Sequence, residues 1–226
     1  MFVSVLGDSI STFTGYSQAH YPVFYTPEKC SELGLSGVED TWWMKLIQMQ
    51  GWSFLKNCSF SGRKVIESGL GYVSAEQQAN LLRSNLAAPD IILIYMGLND
   101  FGSGIPVHRA AYMDGNYDFH RSYCEMLYRL RNMYPEAQIL CGTLMRAIVK
   151  NRLDWVFPEA FGSWPLNLYN QAIRQAVEQE RCTLIDLAAT GIRYETVDGA
   201  HPTKDGHSNL CRAWKICLDA VETQHT

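Results

Sequence analysis

The chain has 226 residues, a length that suits one α/β domain with a sizeable core, and 47% of its residues are apolar. Its 19 Lys and Arg against 23 Asp and Glu leave a formal net charge of −4, which argues against nucleic acid or an anionic membrane surface as the main partner. The longest unbroken apolar run, Ile91 to Met96, falls far short of the roughly 20 residues of a membrane helix, and no basic-then-apolar leader is visible, so the expectation is a cytoplasmic protein without a membrane span.

In chain order, Phe2–Leu6 reads as a first strand, and the polar turn Gly7-Asp8-Ser9-Ile10 stands directly behind it. An irregular stretch, roughly 11–37, follows, crowded with Tyr16, Tyr21, Phe24 and Tyr25. Trp42, Trp43, Leu46 and Ile47 recur at helical spacing before a second strand, Trp52–Asn57, after which comes Ser59-Phe60-Ser61-Gly62. A weaker helical pattern runs from about Ser74 to Asn85, with Ser74 as N-cap and Gln77 three residues on. The third strand, Asp90–Met96, leads into Gly97-Leu98-Asn99-Asp100 and a second irregular stretch over 101–116. Phe119, Tyr123, Leu127, Leu130 and Met133 mark a helix, and Gln138–Leu144 a fourth strand. The third irregular stretch, 145–163, carries Trp155, Phe157 and Phe161, with Trp164 just beyond. Leu166, Tyr169, Ile173 and Val177 mark the next helix, and Cys182–Leu187 the fifth strand. The pentapeptide Asp198-Gly199-Ala200-His201-Pro202 then precedes a last helix through Leu210, Trp214, Cys217, Leu218 and Val221, for which Thr203 is the natural N-cap.

Strands alternating with helices imply βαβ units, right-handed crossovers and a parallel sheet covered on both faces. The expected fold is therefore a three-layer α/β/α arrangement with a five-stranded parallel sheet in the flavodoxin-like order 2-1-3-4-5, forming one domain over residues 1–226. Seven cysteines without a CxxC pair read as reduced packing residues, not as a zinc cage or a disulfide framework. Ligands of such sheets bind beyond the carboxyl ends of the strands, where the strand order reverses. With strand one between strands two and three, Ser9, Gly62 and Asn99 converge there.

That trio has a chemical logic. Ser9 offers a hydroxyl nucleophile, while backbone N–H groups and an Asn side chain can supply donors to an oxyanion. A serine hydroxyl is weak without a base, and Asp198 three residues ahead of His201 fits that need. The carboxylate can bend back to accept the imidazole Nδ1–H, which leaves Nε2 free for the serine proton.

GDSI early in the chain, Ser61-Gly62 after the second strand, GLND after the third and DGAHP near the C-terminus together resemble the four blocks of the SGNH/GDSL hydrolases. The resemblance implies a serine esterase or acylhydrolase with Ser9 as nucleophile, His201 as base and Asp198 as its orienter. It further implies oxyanion donors from the Ser9 and Gly62 N–H groups and Asn99 Nδ2, and no cofactor. The first block reads GDSI where the family name has GDSL. Aromatic residues in the long loops tilt the expected substrate toward an acetylated carbohydrate; Asp8, Tyr25, Phe101 and Trp164 are the candidate substrate-binding residues. Asp8 and Asp100 otherwise read as structural, and His207 as a surface or supporting residue. A lysophospholipase or thioesterase activity fits the same blocks. Two further readings stay open: a metal-assisted hydrolase using Asp8, Asn99, Asp100, Asp198 and His201, and a non-catalytic carbohydrate-binding domain. Self-association into a homo-oligomer is also left open.

Overall fold

The computed structural model describes residues 1–66, 82–84, 87–108 and 118–223. Among these residues the strands are β1 (Phe2–Gly7), β2 (Ser53–Asn57), β3 (Ile91–Tyr95), β4 (Gln138–Gly142), β5 (Ala147–Val149), β6 (Ala160–Phe161), β7 (Trp164–Pro165), β8 (Thr183–Ile185) and β9 (Tyr194–Thr196). Strands β2-β1-β3-β4-β8 form one parallel sheet, which is the expected 2-1-3-4-5 order when its members alone are numbered. Every residue of β3 is buried, as its unbroken Ile-Ile-Leu-Ile-Tyr run requires of a central parallel strand covered on both faces.

The four strongest helical patterns all form helices: Trp42–Met49, Phe119–Met133, Leu166–Gln179 and Lys204–Thr223. The first packs on the last and the second on the third, giving two helix pairs against the sheet. Stacked Trp42 and Trp214, with ring centroids 5.1 Å apart, join the first pair in the core. All seven cysteines are buried or half-buried.

Three features depart from the sequence reading or lie beyond it. The stretch expected to be irregular over 11–37 contains a helix, Pro27–Leu33. Thr26 caps it, Pro27 opens it, and Gly34 closes it in the left-handed conformation, so the punctuation was present around a segment too short for periodicity. Within 145–163, β5 pairs in parallel with β9, a second small sheet joining two segments nearly fifty residues apart. Of the helix expected over 74–85, only Leu82, Arg83 and Ser84 are described, and residues 109–116 of the second irregular stretch also lie outside the described residues.

Candidate active site

The turn behind β1 is built on Asp8. Its carboxylate accepts the Ile10 N–H at 3.1 Å and caps a short 3-10 turn, Ser9–Ser11, which presents the Ser9 hydroxyl at the carboxyl end of the sheet. Thr12 Oγ1 donates to the Ser9 carbonyl at 2.8 Å and accepts the Phe24 N–H at 2.9 Å, tying the following loop to the same turn.

Nearly two hundred residues later the chain returns to this point. His201 Nε2 lies 2.9 Å from Ser9 Oγ, and His201 Nδ1 lies 2.7 Å from Asp198 Oδ2. The other Asp198 oxygen accepts the backbone N–H groups of Ala200 and His201 at 3.0 and 2.8 Å, so a tight Asx-type turn holds the imidazole in register. Burial alone would raise the Asp198 carboxyl, but the hydrogen bonds from the His201 ring and from the His201 and Ala200 amides outweigh it and hold the group well below the usual carboxylate range. Gly199 sits within this turn at φ +91°, and a Cβ there would lie 2.6 Å from the Trp155 ring; glycine meets both demands. Thr203 caps the last helix, accepting the Gly206 N–H at 3.2 Å.

Asn99 follows β3 and donates through Nδ2 to the Arg63 carbonyl at 2.9 Å, which ties it to the residue after Gly62 and leaves its second Nδ2 hydrogen for another acceptor. Gly62 itself is in a turn at φ +80°. The loop that carries it is held by Asp100, whose carboxylate accepts the Val65 and Ile66 N–H groups at 2.8 and 3.1 Å.

A cavity of about 370 Å³ opens over these groups. Asp8, Ser9, Asn99, Phe101, Asp198 and His201 all line it, so the structure gathers six of the residues singled out in the sequence around one space. Three others stand apart from the lining. Gly62 precedes Arg63, whose carbonyl accepts from Asn99, and Trp164 pairs with Phe161 in the β6–β7 hairpin. Tyr25 is wholly buried and donates its hydroxyl to the Pro202 carbonyl at 2.9 Å, so it braces the loop behind His201 instead of lining the cavity. His207 is also buried; its Nδ1 accepts the Trp42 N–H at 3.2 Å, and burial pushes its ring down to about 3. A second cavity, of about 330 Å³ near Arg146, Arg174 and Arg193, contains none of the sequence-derived candidates.

The carboxylates that a metal centre would need are engaged in these turns, and among the described residues no group of three or more His, Cys, Asp and Glu could hold a metal ion. Two residues that the sequence reading left without a role contribute directly: Trp155 walls the cavity over Gly199, and Phe24 stacks on the His201 ring with centroids 3.5 Å apart and planes within 5°. The aromatic crowding of the first and third long stretches was the signal, but it could not say which ring touches what.

The buried carboxyls make a stability prediction with a definite sign. Burial pushes Asp8 up to about 6 and Asp100 up to about 7, against an ordinary value of 3.8. Both bind a proton more tightly folded than unfolded, so their contribution to stability is full below about pH 4 and is lost as pH rises through 6 to 7. Asp198 acts oppositely, adding stability that disappears on acidification below the usual carboxylate range. His207, pushed down to about 3, opposes Asp8 and Asp100 below its ordinary 6.5, but two carboxyls outweigh one imidazole, so the melting temperature should fall between pH 5 and pH 8, and Asp100→Asn should flatten that fall. Thermal melts across this window check it; a slope unchanged by Asp100→Asn would contradict the assignment.

A parallel α/β/α sheet with a hydrogen-bonded Ser, His and Asp at the reversal of its strand order defines a class of protein whose site can carry out acyl transfer. Residues 1–153 match the family model described as GDSL-like lipase/acylhydrolase, and the chain belongs to that family. The match spans Ser9, Gly62 and Asn99, while Asp198 and His201 lie beyond it. Curated proteins offer no relative that matches the sequence. Among solved structures, a protein described as a GDSL-like lipase from Bacteroides ovatus superposes with a TM-score of 0.73 at 22% identity, over 97% of this chain and 98% of that one. The psychrotrophic esterase EstA from Pseudoalteromonas, in a form inhibited by monoethylphosphonate, gives 0.59 at 15% identity over 98% of both chains. An acetyl-xylooligosaccharide esterase from Geobacillus gives 0.55 at 16% identity over 96% and 93%. At these identities the likeness carries the fold. No helix among the described residues is long and apolar enough to cross a membrane.

Proposed function

We propose that the protein is a serine esterase that removes a short acyl group from an alcohol through an acyl-enzyme. The observation that carries this reading is the chain of contacts from Ser9 Oγ to His201 Nε2 at 2.9 Å and from His201 Nδ1 to Asp198 at 2.7 Å. In the proposed mechanism His201 Nε2 takes the Ser9 proton as Oγ attacks the ester carbonyl carbon. The displaced electron pair forms an oxyanion, for which the Ser9 and Gly62 N–H groups and the free hydrogen of Asn99 Nδ2 are the donors. Collapse breaks the bond to the alcohol oxygen, which leaves with the proton from His201, and water then releases the acid by the same steps.

For the substrate, the cavity offers aromatic Phe101, Trp155 and Phe157 together with polar Asn99 and Asp8. Its volume of about 370 Å³ is at the small end of the roughly 300–1,000 Å³ typical of ligand sites. Both features favour an acetyl group on a carbohydrate over a long acyl chain, and the fold shared with an acetyl-xylooligosaccharide esterase is in keeping with that choice. Rates on p-nitrophenyl esters from acetate to palmitate, and on acetylated xylooligosaccharides, test it. The expected result is fastest hydrolysis of acetate, a decline of at least tenfold by octanoate, release of acetate from the sugars, and no effect of EDTA. Rates that climb toward palmitate would instead mean a lipase or lysophospholipase, and loss of activity in EDTA a metal-assisted hydrolase. Sugar binding without any turnover would mean a binding domain.

A further inference from the structure

The mechanism above does not use Phe24, yet its ring lies directly on a reacting group. Its centroid stands 3.5 Å from that of His201, with the planes 5° apart, so the rings overlap directly face to face. Two neutral aromatic rings prefer an offset or edge-on arrangement to direct overlap. A cationic ring over a phenyl face is another matter, because the negative face of the phenyl quadrupole attracts it.

Phe24 is not left to find this position by itself. Its backbone N–H donates to Thr12 Oγ1, which in turn donates to the carbonyl of Ser9. Its neighbour Tyr25 is buried, packs edge-on against Phe24, and bonds the carbonyl of Pro202, the residue after the base. The Tyr25 carbonyl accepts the Thr14 N–H at 3.1 Å, which closes the loop back on itself. The Phe24-Tyr25 pair is thus fastened at one end to the nucleophile's turn and at the other to the base's loop. Asp198 fixes the imidazole at its edge, through Nδ1; Phe24 fixes its plane.

We propose that Phe24 is a positioning residue for the base: its ring sets the plane in which His201 reaches Ser9, and its face stabilises the imidazolium formed when the Ser9 proton moves to Nε2. This rests on the esterase reading. In the proposed mechanism His201 takes up the Ser9 proton as the tetrahedral intermediate forms, so the contribution belongs to kcat and not to substrate binding.

The test compares Phe24→Leu, which keeps an apolar side chain but removes the ring face, with Phe24→Tyr, which keeps the face. On p-nitrophenyl acetate, Phe24→Leu should lose on the order of tenfold in kcat, with KM changed by less than about twofold. Phe24→Tyr should retain at least half of the wild-type kcat. In the wild-type NMR spectrum the His201 ring protons should be shifted upfield by the phenyl ring current, and Phe24→Leu should relieve the shift. Wild-type kcat in Phe24→Leu, equal losses in both variants, or a loss confined to KM would overturn the proposal. Should Phe24→Leu fail to fold, the wild-type spectrum still decides, since His201 protons without an upfield shift would contradict the stacking. Labelling of wild-type Ser9 by a fluorophosphonate separates the two levels. Without labelling the esterase reading itself fails; with labelling and an unimpaired Phe24→Leu, only the role of Phe24 does.

Discussion

Replacing Ser9 by alanine should lower the hydrolysis of p-nitrophenyl acetate by about 10⁴- to 10⁶-fold while leaving thermal unfolding almost unchanged. The size follows from what the hydroxyl is asked to do: without Oγ there is no acyl-enzyme, and only the oxyanion donors and binding remain to accelerate attack by water. The unchanged stability follows from how the turn is held. Asp8 accepts the Ile10 N–H and Thr12 Oγ1 bonds the Ser9 carbonyl, and neither contact uses the Ser9 side chain. His201→Ala should cost nearly as much, and the double variant little more than either single one, because residues that act as a unit are strongly non-additive. Steady-state rates on the three variants, with circular dichroism to confirm the fold, check this. Losses that multiply in the double variant would mean that Ser9 and His201 work separately.

Gly206→Ala should be the most damaging single-methyl change near the site, lowering stability by roughly 2–4 kcal/mol and the melting temperature by roughly 5–15 °C. Gly206 lies in the first turn of the last helix, and a Cβ there would overlap the backbone carbonyl of Glu195 in β9. The obstacle is main chain, so no side-chain rotation can relieve it. The Thr203 N–H donates to the same Glu195 carbonyl at 3.0 Å, and Thr203 Oγ1 caps the helix through Gly206. Pushing the helix from β9 therefore strains the segment between them, which is the one that carries Asp198 and His201. Activity should fall together with stability. Differential scanning calorimetry on Gly206→Ala checks the first part; a melting temperature within 2 °C of wild type would mean that the helix can shift away freely.

Much of this architecture was legible because it is local or strongly patterned. The buried run at Ile91–Met96 could only be a covered strand, and the helices at 119–133 and 166–179 announce themselves by their spacing. The residues of the site were legible for another reason: in a parallel sheet they stand directly behind strands, so finding the strand ends finds Ser9 and Asn99. What stayed hidden depends on contacts between distant segments. A three-residue strand such as Ala147–Val149 has no periodicity of its own and is stabilised by pairing with Tyr194–Thr196. Tyr25 and Phe24 look alike in sequence, two aromatics in one loop, yet one is buried and bonds the Pro202 carbonyl and the other lies on the His201 ring. His207 reads in sequence as either a surface or a supporting residue, and its burial against the start of the Trp42–Met49 helix, which decides for the second, depends on how two helices meet.

The central claim is that Ser9 is a nucleophile activated by His201, and a fluorophosphonate probe followed by peptide mass spectrometry tests it most directly. The account predicts one label per chain, on Ser9, absent from Ser9→Ala and at least a hundredfold slower in His201→Ala. An unlabelled Ser9 in protein that hydrolyses p-nitrophenyl acetate, or full activity in Ser9→Ala, would contradict it.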